Sequence, residues 1–222
     1  FRLGGVEQAR SLIHFATQPN NSLSMRIEAM GALVDWEHPS SLDRVLGSHR
    51  PLPSRSISEL KTVLAPAVSA ILQDSNSTLQ HEAIRLARAW KIQTIDTDFA
   101  AWIADPTRVS ATRIEALGLM DEFEDPQLSE AISVALSDQD PRLRAAGARI
   151  LATNDPAHAI RVLRDALEGD SVVERQAALL TLASINDSPA QELLSAWLEK
   201  LEAGLVPEEL QLDVIEALRE VR

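Results

Sequence analysis

"DPRLRAAGARIL", residues 140–151, is the stretch from which the fold can be read. Asp140 can accept hydrogen bonds from the free N–H groups of a helix start, and Pro141 suits a first helical turn. Beyond them Leu143, Gly147, Ala148 and Leu151 return to one helical face. The stretch is therefore an amphipathic helix with a small residue at its centre, where a neighbouring helix can approach closely.

Working outward, the block "LRAAGARIL" (143–151) overlays on "MRIEAMGAL" (25–33), "LQHEAIRLA" (79–87), "TRIEALGLM" (112–120), "ERQAALLTL" (174–182) and "LQLDVIEAL" (210–218). The second position holds Arg26, Gln80, Arg113, Arg144, Arg175 and Gln211. The fifth holds Ala29, Ala83, Ala116, Gly147, Ala178 and Val214, all small or β-branched. Three residues past the first three blocks stand Trp36, Trp90 and Phe123. The second-position residues lie 54, 33, 31, 31 and 36 residues apart. Each block reads as the second helix of a pair, with first helices over 5–17, 57–73, 95–104, 127–137, 157–168 and 188–203. Helix starts are expected at Asp125-Pro126, Asp140-Pro141, Asp155-Pro156, Asp170-Ser171 and Asp187-Ser188, and Pro66 is expected to kink its helix. A period near 31–36 residues built from helix pairs predicts an all-α fold. More closely, it predicts an α-α superhelix of about six helix pairs forming a single domain over 1–222.

The blocks resemble HEAT repeats, whose second helix reads hydrophobic-Arg-x-x-Ala-x-x-x-Leu after an Asp-Pro turn, and the resemblance spans nearly the whole chain. Arg26, Arg113, Arg144 and Arg175, with Asp140 and Asp170 just upstream of the last two, are expected to form a structural ladder of arginine against aspartate or loop carbonyls. The HEAT resemblance implies the same arrangement. Glue between repeats is favoured over a ligand-binding row, because a partly buried arginine needs a fixed partner.

One step in the period is about twenty residues too long, and "WEHPSSLDRVLGSHRPLPSRS" (36–56) fills it. A loop over 37–56 is thus inserted between pairs one and two, and long loops in compact domains are functional or disordered. Trp36, Leu42, Val45, Leu46 and Leu52 give it something to bury, so it is expected to pack on the repeats as an Ω-like loop. The sharper alternative is a docking element for a neighbouring domain, carried by Arg44, His49, Arg50 and Arg55.

"RLGGVEQARSLIHFAT", the Asp35-Trp36 pair, "DRVLGSHRPLPSR" and "LEKLEAGLVPEELQLDVIEALREVR" resemble one particular setting. It is the HEAT-repeat region of large secreted planctomycete and verrucomicrobial proteins. There a sugar-dehydrogenase-like β-propeller precedes the helices and a c-type cytochrome domain follows them. That resemblance implies a periplasmic or secreted location and haem only in the parent protein, since covalent haem needs Cys-x-x-Cys-His and this chain has no cysteine. The opening "FRLGG", without an initiator methionine or signal-like segment, fits a piece of a longer protein.

Composition limits the function further. The net charge of −12 arises wholly beyond residue 100, where 23 acids face 11 bases; residues 1–100 balance at ten each. Such a half repels phosphates and weighs against nucleic acid. No apolar run is long enough to span a membrane. The histidines His14, His38, His49, His81 and His158 are scattered, with no H-E-x-x-H, so no metal site is expected. The acidic runs "DEFED" (121–125) and "SDQDP" (137–141) lack a Ca²⁺ loop's Gly and terminal Glu and read as helix caps. No nucleophile elbow or phosphate loop is present.

The expectation is a non-catalytic scaffold without cofactor or metal. Its partners would be flanking domains of the same chain or another protein, with neither nucleic acid nor membrane insertion. The alternative is a HEAT-like nucleic-acid module or DNA glycosylase-type enzyme, since some glycosylases and phycobilin lyases use related repeats. That reading needs a basic concave face with aromatics and a catalytic acid.

Overall fold

A computed structural model describes residues 4–43, 46–93 and 95–220. The described residues form twelve α-helices and no strand, with one isolated antiparallel bridge between Leu42 and His49. The helices pair as the period predicts. They are α1 (Val6–Thr17) with α2 (Leu23–Val34), α3 (Ser58–Leu72) with α4 (Ser77–Trp90), and α5 (Phe99–Ala104) with α6 (Ser110–Glu122). Then come α7 (Leu128–Leu136) with α8 (Pro141–Asn154), α9 (Pro156–Glu168) with α10 (Val172–Ser184), and α11 (Ser188–Glu202) with α12 (Glu208–Glu220).

The chain divides into two compact units, Phe1–Asp98 and Phe99–Arg222. In the first, α1 packs on α2 and α3 on α4, and the second pair stacks on the first through α2 against α4 and α1 against α3. In the second unit, α5 with α6, α7 with α8, α9 with α10 and α11 with α12 form four pairs. There the second helices stack in chain order, α6 on α8, α8 on α10 and α10 on α12.

Most of the expected face is the core. Leu79, Ala83, Ile84 and Ala87 of α4 are buried, as are Thr112, Ala116, Leu117 and Met120 of α6 and Leu143, Gly147, Ala148 and Leu151 of α8. Burying such side chains supplies the main drive for folding, at about 25 cal/mol per Å² of apolar surface. Gly147 shows why the fifth position is small: a Cβ there would meet the Ala135 Cβ at 3.1 Å. Met25 and Ile215, at block positions one and six, stand exposed, and Glu174 and Leu218, at positions one and nine, are half-buried.

The helix starts follow the sequence only in part. Asp140 caps α8 by accepting from the Arg142 N–H, and Asp155 caps α9 by accepting from the His158 N–H. Asp187 precedes α11 without a side-chain capping bond. Asp125 instead makes a turn, accepting from the Gln127 N–H at 2.8 Å before α7 begins. The cap of α10 is Ser171, not Asp170. "SVVE" (171–174) has capping-box spacing, but the Glu174 carboxylate is engaged elsewhere, so only the serine half of the box forms. The helix α3 runs through Pro66.

Candidate functional site

Two features gather the residues singled out in the sequence: the inserted loop and the arginine row. The loop leaves where α2 ends. Trp36 is buried beneath it, and the Arg55 guanidinium lies 4.6 Å above the indole ring, a cation–π contact. The Arg55 N–H donates to the Glu37 carbonyl at 3.0 Å, and His38 Nδ1 meets Ser54 Oγ at 3.4 Å. Outgoing and returning segments of the chain therefore meet at a closed neck. Gly4 (φ +69°) packs against the same guanidinium, where a side chain on it would come within 2.8 Å of Arg55 Nε. Arg55 is thus a clamp at the neck.

Beyond the neck the chain folds back on itself. The Asp43 N–H donates to the Ser48 carbonyl, the Gly47 N–H to the Asp43 carbonyl and the Arg50 N–H to the Ser41 carbonyl, at 2.8–2.9 Å. Gly47 sits at φ +64°, a conformation that glycine adopts without strain. The Asp43 side chain is buried, accepts from the Leu46 N–H at 2.9 Å and approaches Arg50 Nη1 at 3.6 Å. The expectation that the loop's leucines would be buried fails at the tip, where Leu42 is 54% and Leu46 68% exposed. A turn this tight satisfies its own backbone and has no interior for them. Leu52 is half-buried, His49 is exposed and Arg50 turns partly outward. Arg44 and Val45 lie outside the described residues.

The arginine row has a consistent geometry in three of its members. Arg26 is buried, donating from Nε to the Ala16 carbonyl at 2.8 Å and from Nη2 to Asp74 at 2.8 Å. Arg113, 3% exposed, donates from Nε to the Ile103 carbonyl at 2.9 Å and forks onto Asp138 at 2.5 and 3.3 Å. Arg144 grips Glu174 through two nitrogens and donates to the Asp138 and Gln139 carbonyls at 2.6 and 3.0 Å. Each thus ties carbonyls of its own hairpin to a carboxylate of the following one. Gln80 and Gln211, at the same position, bond carbonyls of their own hairpins.

Asp140 and Asp170 are not the acids of this row. Asp140 is held by Arg142 and by the Ser110 hydroxyl, and Asp170 is exposed just before α10. The row uses Asp74, Asp138 and Glu174 instead. Asp74 and Asp138 each stand five residues before the opening leucine of their block, a register visible in the sequence but masked by the stronger Asp-Pro signal. Arg175 joins no such pair.

These contacts set the charge states. The hydrogen bonds from Arg113 hold the Asp138 carboxyl below its ordinary range, outweighing burial. Arg142, then Ser110, do the same for Asp140. Burial pushes Asp74 upward, but donors from the Asn76 backbone and Arg26 overcome it and leave a net lowering. A depressed carboxyl stabilises the fold at pH above its unfolded value, and that stability is lost as pH falls through the folded value. The melting temperature is therefore expected to be level above about pH 5 and to fall steadily below about pH 4. In Asp138→Asn the acid decline should be shallower than in the parent; superimposable profiles would refute this role for Asp138.

The acidic run at 121–125 borders a groove of about 480 Å³ that also includes Asp155 and His158. Three of its four carboxylates are occupied: Asp121 accepts from Asn154 at 2.9 Å, Asp125 from Gln127 and Asp155 from His158. Among the described residues no three His, Asp or Glu side chains come together as metal ligands, and no helix is long and apolar enough to cross a membrane. His14 and His158 are exposed, His38 lies at the loop neck, and His81 is half-buried in α4. Compared with known protein families and with curated proteins, the chain matches no family and no individual sequence.

Proposed function

We propose that the chain is a non-catalytic scaffold, a HEAT-like solenoid module that docks neighbouring domains of its polypeptide through the inserted loop. In the setting suggested by the sequence resemblance, it spaces a β-propeller dehydrogenase-like domain from a c-type cytochrome domain in a periplasmic or secreted protein. The observation that carries this reading is the loop's division of labour. The neck is closed by the Trp36–Arg55 contact and the Arg55-to-Glu37 backbone bond, while the tip holds Leu42 and Leu46 in water with His49 and Arg50 also exposed. A loop that clamps its base and presents apolar side chains is suited to insertion into a partner's pocket, where a buried leucine contributes about 1.5–3 kcal/mol.

The test is calorimetric titration of the chain with each flanking domain of the same polypeptide. Leu42→Ser with Leu46→Ser should weaken binding by about tenfold or more, as expected for two lost apolar anchors, without moving the melting temperature. Absence of binding by the parent, or affinity untouched by the double substitution, rejects the reading.

A further inference from the structure

The arginine row has an opening at Arg175. The acids Asp74 and Asp138 precede the opening residues of their blocks, Leu79 and Leu143, by five positions. Counted the same way, the next block offers Gly169, and Arg144 turns to Glu174, the block's opening residue. For Arg175 the following hairpin presents Leu205 at the first of these places and Leu210 at the second. Counting from the end of α11 puts Gly204 there, at φ +69°. None of the three carries a charge.

Arg175 is accordingly left over. Among the described residues its side chain makes no hydrogen bond, and its Nε is shut off from solvent. Its guanidinium carbon lies 5.6 Å from the Trp197 ring centroid, and Lys200 Nζ lies 4.6 Å from the same centroid. Among the described residues no carboxylate pairs with either cation. The Leu205 N–H donates to the Lys200 carbonyl at 2.9 Å, which fixes Leu205 in the turn closing α11, the position where the earlier hairpins carry their acid, and its side chain is 73% exposed. Two cations on one buried indole without a carboxylate among the described residues, with an exposed leucine in the turn that follows, stand out in a half-chain with 23 acids against 11 bases.

We propose that Arg175 and Lys200 receive a carboxylate from a partner polypeptide, an Asp or Glu side chain adjoining an apolar residue that covers Leu205. The partner completes from outside the pairing that Asp74, Asp138 and Glu174 complete from within. With Nε already dehydrated, the guanidinium gives up less water when its outer Nη groups take a charge-assisted bond. The apolar neighbour selects a polypeptide over a small free acid, and the acidity of this half of the chain opposes a second copy. This surface is distinct from the inserted loop, so the inference stands or falls separately from the scaffold reading.

The test uses the whole chain and the probe acetyl-Gly-Leu-Glu-Leu-Gly-amide, with the Gln-for-Glu peptide as control. Binding is read from the side-chain Nε–H resonances of Arg175 and Trp197. The Glu peptide should bind about tenfold or more tightly than the Gln peptide, as a charge-assisted pair does over a neutral one. The ratio should fall to about one in Arg175→Gln and shrink in Lys200→Gln, whose exposed position leaves the fold intact. Leu205→Asp should abolish binding and raise the melting temperature, and that rise should vanish when combined with Arg175→Gln. The proposal is overturned by equal affinity for the two peptides, a ratio that survives Arg175→Gln, or free glutarate binding as tightly as the Glu peptide. Self-association of the parent that Arg175→Gln abolishes would assign the seat to a second copy and overturn it equally.

Discussion

Arg113→Ala is expected to destabilise the chain by roughly 3–5 kcal/mol, the cost of removing one partner of a buried ion pair. The guanidinium is 3% exposed and serves two masters, the Ile103 carbonyl at the end of α5 and the Asp138 carboxylate between α7 and α8. Without it, Asp138 keeps its charge in a partly dehydrated place, and the Ile103 carbonyl loses its side-chain donor. The loss exceeds what a surface pair would give, since an exposed pair contributes about 0–1 kcal/mol. In a unit of this size it corresponds to a fall in melting temperature of about 10–20 °C. Arg113→Ala combined with Asp138→Ala should cost less than the two single changes added together, because the second substitution removes the stranded charge. Urea unfolding of the single and double variants measures both quantities. A loss below about 1 kcal/mol for Arg113→Ala would reduce the row to surface decoration.

That row also shows where sequence stops being sufficient. The helix pairs were legible because apolar side chains recur at helical spacing, and burial enforces that spacing in every repeat. The donor side of the row was legible too, since an arginine or glutamine recurs at one position. The acceptors were harder. Asp140 lies nearer to Arg144 along the chain than Glu174 does, yet Asp140 is committed to its own helix start and to Ser110. Glu174 reaches across thirty residues because α8 and α10 pack side by side. Partner choice depends on which hairpin follows, a tertiary fact that local spacing does not contain. The loop was legible as an insertion by its length alone. Its leucines looked like core because apolar content does not reveal whether anything lies opposite. Asp43, which takes the interior position, gave no signal at all.

Trp90→Ala is expected to produce a loss of similar size in the first unit, about 3–5 kcal/mol for deleting a buried aromatic. Trp90 ends α4 with none of its surface exposed, and its Nε1–H donates to the Leu33 carbonyl at 3.0 Å. Leu33 belongs to α2, so this one side chain joins the two second helices of the unit by both packing and hydrogen bonding. The same carbonyl accepts from the Trp36 N–H at 3.0 Å, which places both tryptophans at the foot of the inserted loop. The two contributions can be separated. Trp90→Phe keeps most of the apolar volume but drops the N–H donor, and should cost about 1–2 kcal/mol, the worth of one hydrogen bond plus a small residual cavity. Trp90→Ala loses both and leaves a void in place of the ring. If the two variants unfold at the same urea concentration, the hydrogen bond rather than the ring volume holds the helices together. Packing would then have been given too much weight.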